Sequence, residues 1–239
     1  MTRKWVYYTA DALPEQVEDP RTLLGGKGAS LRAMTAAGLP VPPAFVISTE
    51  ACARFFETGG LWPEGLEDEV RAGLKRLEAD MGRRFGQGPQ PLLVSVRSGA
   101  ARSMPGMMDT LLNVGLHVGL ADSLADADGF WPLFAQFVEM YAKTVAGMNP
   151  EAFETVRRLH DGASPQSVAA MIALYEHESA RPFPATPWDM LADCINHVFQ
   201  SWNNERARQY RKRHDIHGLR GTAVNVQAMF PSHVSGIVF

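Results

Sequence analysis

The hydrophobic residues of this chain change period twice. Over the first hundred or so positions, short β-branched and aromatic runs read as strands at Trp5–Tyr8, Phe45–Ile47 and Leu92–Arg97. Between about residues 120 and 212 the apolar residues instead fall three and four apart. Phe130, Phe134, Phe137, Tyr141, Val145 and Met148 form one such stripe. Val168, Met171, Ile172 and Tyr175 form a second, and Trp188, Leu191, Ile195, Val198 and Trp202 a third. After Gly221 the alternation of strands returns, in Ala223–Gln227 and Gly236–Phe239. A helical block set between two strand-bearing pieces predicts an α+β fold. The aromatic stripes are expected to be core, because burial of that face is what holds a helix down.

Turn and breaker residues give the strand-bearing half its outline. Leu23-Leu24-Gly25-Gly26-Lys27-Gly28 leads into a helix that carries Leu31 and Met34 and closes at Gly38. Pro40, Pro42 and Pro43 forbid its continuation. Thr49 is read as the N-cap of the next helix, through Phe56. Glu64 to about Arg84 is a third helix, with Leu66, Val70, Leu74 and Leu77 on one face. The last strand, Ile-Val-Phe with no polar tail, is a poor place for a domain to end, so the chain is expected to be cut there.

Composition removes several classes of function. With 239 residues, 46% of them hydrophobic and 21% charged, the chain is neither a disordered polymer nor a fibre. A net charge of −3 offers no basic field, so nucleic acid is not an expected partner, and Arg206–Arg213 is read as a solvated helix face. Cys52 and Cys194 lack metal-ligand spacing and make no disulfide framework. No N-terminal apolar run suits a signal peptide, and no run approaches the ~18 apolar residues of a membrane span. A cytoplasmic protein is the expectation. The histidines do not cluster, and His160, His177, His197, His214 and His217 are expected to be solvated.

Three segments can carry chemistry. Gly25–Gly28 opens a helix, where glycines admit an anion to backbone N–H groups and Lys27 can reach a phosphate. It is not a GxxxxGK[ST] loop, and a solvated lysine on a glycine-rich turn is the other reading. Arg97 ends a strand on which Ser95 and Arg97 point opposite to Val94 and Val96, a placement that suits bidentate phosphate contact or a plain surface arginine. Ser103–Thr110 holds three methionines with Pro105 and Gly106. Gly106 can admit a phosphate and Thr110 can donate a hydroxyl, unless the loop simply packs under the helices.

As an ordered set, KWVYY, LLGGKGASLRAMTAAGLPVPPAFVISTEAC, PLLVSVRSGAARSMPGMMDTLLNVGL and GTAVNVQAM resemble the N-terminal nucleotide-binding domain of the pyruvate, phosphate dikinase family. The resemblance is close over residues 4–52, 91–116 and 221–229 and looser in the helical region. It implies an ATP-grasp-like fold with an inserted helical subdomain. The division it implies is a first lobe at 1–116, a helical subdomain at 117–215, and the truncated start of a second lobe at 216–239. It also implies a reaction in which ATP, phosphate and pyruvate give AMP, pyrophosphate and phosphoenolpyruvate, through a phosphohistidine on a domain absent here.

Residue by residue, the resemblance makes Lys27 and Arg97 the phosphate-contacting and catalytic cations. Gly106 and Thr110 match a loop that covers the phosphates, and Gln227 and Met229 match a strand that lines the adenine pocket. It implies Mg²⁺, with acidic ligands beyond Phe239, so that this chain alone is expected to be inactive. Pyruvate and phosphate would be handled by absent domains of a homodimeric parent. The stretch Phe230–Gly236 departs from the dikinase glycine-rich turn, and VSGIVF is closer to phosphoenolpyruvate synthase, which leaves phosphate and water both open as acceptor. His233 lacks the motif of a phosphorylated histidine and is read as a loop residue. A related ATP-grasp phosphotransferase and a catalytically inactive nucleotide-binding module are the alternative functions.

Overall fold

The computed structural model describes residues 3–104, 106, 109–124, 129–160 and 162–231. The expected strand at Gly236–Phe239, the loop histidine His233, and Pro105, Met107 and Met108 lie outside the described residues. In chain order the elements are β1 (Val6–Tyr8), α1 (Pro20–Ala36), β2 (Ala44–Ile47), α2 (Thr49–Glu57), α3 (Leu66–Met81), β3 (Val94–Gly99) and β4 (Thr110–Val114). The helices α4 (Phe130–Ala146), α5 (Pro150–Leu159), α6 (Pro165–Ser179), α7 (Pro187–Ser201) and α8 (Glu205–Arg213) follow, and then β5 (Ala223–Ala228). This is the α+β arrangement that the two changes of period predict.

The strands form one sheet in the order β1-β2-β5-β3-β4, with every pair antiparallel. Residues 223–228, expected to open a second lobe, are the central strand of the sheet that also holds β1 to β4. Alternation in Ala-Val-Asn-Val-Gln-Ala shows a strand with one apolar and one polar face, but not its neighbours. Val224, Val226 and Ala228 join the main core, while Asn225 and Gln227 take the opposite face. That core is one cluster, running from the sheet through α2, α3 and the helical block. The aromatic stripes are part of it, with Phe134, Phe137, Tyr141 and Tyr175 fully buried.

Helix ends differ from expectation by a residue or two. Ser48, not Thr49, caps α2, its side chain accepting from the Ala51 amide at 3.3 Å. The third helix is trimmed to Leu66–Met81 by left-handed Gly65 and Gly82, and it buries the four predicted residues. The same helix protects the sheet edge, since the amides of Trp5 and Val6 both donate to Glu69 Oε2 at 2.8 Å. Glu69→Ala leaves two backbone donors without that acceptor and is expected to cost about 2 kcal/mol. Thermal denaturation should then show a melting temperature lower by about 4–8 °C for a chain of this size.

Candidate functional site

Helix α1 lies across one face of the sheet, where Leu23 and Leu24 pack with Tyr7, Val46 and Ala223. It is broken at Gly25, whose φ of 67° and ψ of 171° belong to a region essentially restricted to glycine. The break lets the helix touch the end of β3: a Cβ on Gly25 would sit 1.6 Å from the Gly99 carbonyl oxygen. The next amide, Gly26 N–H, donates to Ala100 O at 2.9 Å. A new helical segment therefore starts directly above the strand end and carries Lys27 on its first turn.

Between that segment and residues 97–106 lies a cavity of about 630 Å³. Its lining includes Lys27, Arg97 and Gly106, so three of the six expected site residues meet there. Arg21 and Arg102 add two further cations, and the lining holds no carboxylate. A second cavity of similar size, about 600 Å³, lies beside α2 and is different in kind. There Arg3, Arg54 and Arg220 are offset by Glu50 and Glu57 in ion pairs of 2.7–3.2 Å. Of these two cavities the first is the more positive, as a polyanion needs, although its Arg21 is paired with Asp19 at 3.1 Å.

Lys27 is exposed on the cavity surface, yet its pKa lies below that of an ordinary lysine. The protein mass around it disfavours its charged form, and the Arg97 guanidinium adds repulsion. Between this lowered value and the ~10.4 of an unfolded lysine, the unfolded chain holds a proton that the folded one has released. Stability of the ligand-free chain should therefore rise with pH through that alkaline window. A bound polyanion reverses the sign locally, because it favours the protonated lysine. Titration calorimetry in buffers of different ionisation enthalpy should show proton uptake on polyphosphate binding within that window, and binding that weakens as pH rises through it.

The other three expected residues do not line this cavity; they continue from it along the sheet. Register sets Thr110 beside Arg97, so the two share a face, and Thr110 is exposed there. Gln227 lies between Ala44 and Ser95, accepting from Arg97 Nη1 at 3.4 Å and donating to Pro42 O at 3.0 Å. Met229 follows, with its amide on Leu93 O at 2.9 Å. From Arg97 to Leu93 the strip spans about 13 Å at ~3.3 Å per residue. Lys27 and Arg97 stand over one end and Met229 at the other.

Sequence reasoning missed Gly25 as a hinge, Arg102 as a lining cation, and Asn225, which lies beside Arg97 across β5. Asn225 shares its face with Gln227 by simple alternation, a signal that was present in Val-Asn-Val-Gln. Of the methionine loop, Met104 is buried in the main core. His197 is not solvated as expected: its Nε2 lies 3.0 Å from Asp109 Oδ2, at the foot of that loop. No group of three His, Cys, Asp or Glu side chains among the described residues could hold a metal ion. With no carboxylate in the cavity either, the described residues do not fit a Mg²⁺ site. Among them, no helix is long and apolar enough to cross a membrane.

Fold and site together define an α+β lobe with a cationic cavity where a broken helix meets a sheet. Comparison with known families gives a match over residues 21–76 and 62–239 to the family described as pyruvate phosphate dikinase, AMP/ATP-binding domain. The chain belongs to that family, and its fold is the ATP-grasp-like α+β N-terminal domain. It is 43% identical over 95% of its length to pyruvate, phosphate dikinase of Rhizobium meliloti (strain 1021), covering 27% of that protein. Pyruvate, phosphate dikinase 1, chloroplastic, of Oryza sativa subsp. japonica is 39% identical over 95% of the chain, with 26% of the relative covered. The Giardia intestinalis pyruvate, phosphate dikinase is 38% identical over 96% of the chain, with 28% covered. The chain thus spans about a quarter of the length of these curated relatives.

Proposed function

We propose that this chain is the ATP-holding part of a pyruvate, phosphate dikinase, with the triphosphate in the cavity between Lys27 and Arg97. The observation that carries this is a lining of Lys27, Arg97 and Arg102, with Arg21 paired to Asp19 beside them and no carboxylate in the lining, assembled at the contact of Gly25 with Gly99. Lys27 and Arg97 neutralise and orient the phosphates, since phosphoryl transfer is mostly positioning and charge stabilisation. Gly106 gives a phosphate access to the backbone, and Thr110, on the same face as Arg97, donates its hydroxyl. Gln227 and Met229 line the adenine end of the strip.

In the parent enzyme ATP, phosphate and pyruvate give AMP, pyrophosphate and phosphoenolpyruvate, through a phosphohistidine supplied by another part of the protein. Mg²⁺ ligands come from outside the described residues, and this chain alone does not turn over. The parent is a cytoplasmic homodimer. Isothermal titration calorimetry of the chain tests the core of this reading. ATP and inorganic tripolyphosphate should bind, each weakening as salt rises, and adenosine should bind far more weakly. ATP that binds no better than adenosine would overturn it. In the full-length parent, consumption of inorganic phosphate during turnover identifies the dikinase, and turnover without it identifies a phosphoenolpyruvate synthase.

A further inference from the structure

At the floor of the cavity, Asn225 is a buried side chain to which the nucleotide reading gives no task. It lies in β5 between Val46 and Arg97 and is 1% exposed. Its Nδ2 donates to the Arg97 backbone oxygen at 3.3 Å. Its Oδ1 is buried without a hydrogen-bond partner. The amide is also wedged between two glycines. A methyl on Gly28 of α1 would lie 3.0 Å from Oδ1, and a methyl on Gly99 of β3 would lie 2.6 Å from Nδ2. An unpaired buried oxygen works against stability, so a small apolar residue would serve the fold alone better.

The amide bears on α1 one residue after Lys27 and on β3 two residues after Arg97. We propose that Asn225 is a positioning residue of the phosphate site: its amide sets the spacing of α1 from β3 and holds the Arg97 backbone. Lys27 and Arg97 then converge on the same phosphate group. This inference rests on the nucleotide reading above.

The test measures affinity for ATP, tripolyphosphate and adenosine alongside the melting temperature. In Asn225→Ala the affinities for ATP and tripolyphosphate should fall at least about tenfold, which is 1.4 kcal/mol. Adenosine affinity should be unchanged and the melting temperature unchanged or raised. A second variant guards against a folding failure. The added methyl of Gly99→Ala points at Asn225 and the Leu24 carbonyl. Gly99→Ala alone should therefore lower the melting temperature, and combining it with Asn225→Ala should restore stability while ATP binding stays weak.

ATP affinity within about twofold of the unmodified chain, in either variant that lacks Asn225, would overturn the proposal. So would a parallel loss of ATP binding, adenosine binding and stability, which marks a purely structural residue. An unmodified chain that binds neither ATP nor tripolyphosphate overturns the nucleotide reading itself, and this inference with it.

Discussion

Gly25→Ala should lower the melting temperature by about 8–16 °C and remove polyphosphate binding, whereas Gly26→Ala, one residue on, should leave stability within ~0.5 kcal/mol. The difference is geometric. At Gly25 the backbone occupies a region that alanine resists at a cost of about 1–3 kcal/mol. Its methyl would also stand 1.6 Å from a backbone oxygen that has no rotamer to escape into. Overpacking of that kind costs a further ~1–3 kcal/mol, so the sum is about 4 kcal/mol. At Gly26 the methyl would lie 3.4 Å from Ala100 O, an ordinary contact. Because Gly25 docks α1 on β3, the alanine variant should also separate Lys27 from Arg97. A melting temperature within 2 °C of the parent chain would show that the break in α1 is not what holds the site together.

Arg97→Met is the complementary experiment, since it should spare the fold and remove binding. A bidentate guanidinium–phosphate contact is worth about 3 kcal/mol, so ATP affinity should fall about 100-fold. Arg97→Lys should recover only part of this, because an ammonium cannot present the planar fork. Stability should move little: the guanidinium makes one 3.4 Å bond to Gln227, and its removal relieves repulsion on Lys27. That relief raises the Lys27 pKa, so the alkaline loss of residual polyphosphate binding should shift to higher pH. Unchanged affinity in the methionine variant would remove Arg97 from the phosphate site. A higher melting temperature with lost binding would mark the trade of stability for function expected of clustered cations.

What could be read from the sequence was whatever depends on neighbours along the chain. The apolar face of α3, the aromatic stripes of α4, α6 and α7, and the alternation that aims Arg97 away from Val96 all follow from local period. Lys27 and Arg97 could be singled out as candidates for the same reason, and the resemblance to a known family suggested the common role proposed for them. What could not be read was anything set by pairing across long separations. Nothing local says that Ala223–Ala228 inserts between β2 and β3, and Asn225 has no visible task until it does. Gly25 shows the same limit. Within Gly-Gly-Lys-Gly the three glycines look alike, and only the approach of Gly99 singles out the first.

The position of β5 has a consequence for the order of synthesis. Arg97 and Gln227 touch across 130 residues of sequence. At translation rates of ~5–20 residues per second, roughly 7–26 s separate the emergence of β3 from that of its central partner. Throughout that interval β2 and β3 each carry an unpaired edge, the surface most prone to pair with other chains. The helices α4 to α8, whose contacts are local, can form while they wait. The cationic cavity is thus a late product of folding, completed only when the last described strand slides between two that have stood open since early in synthesis.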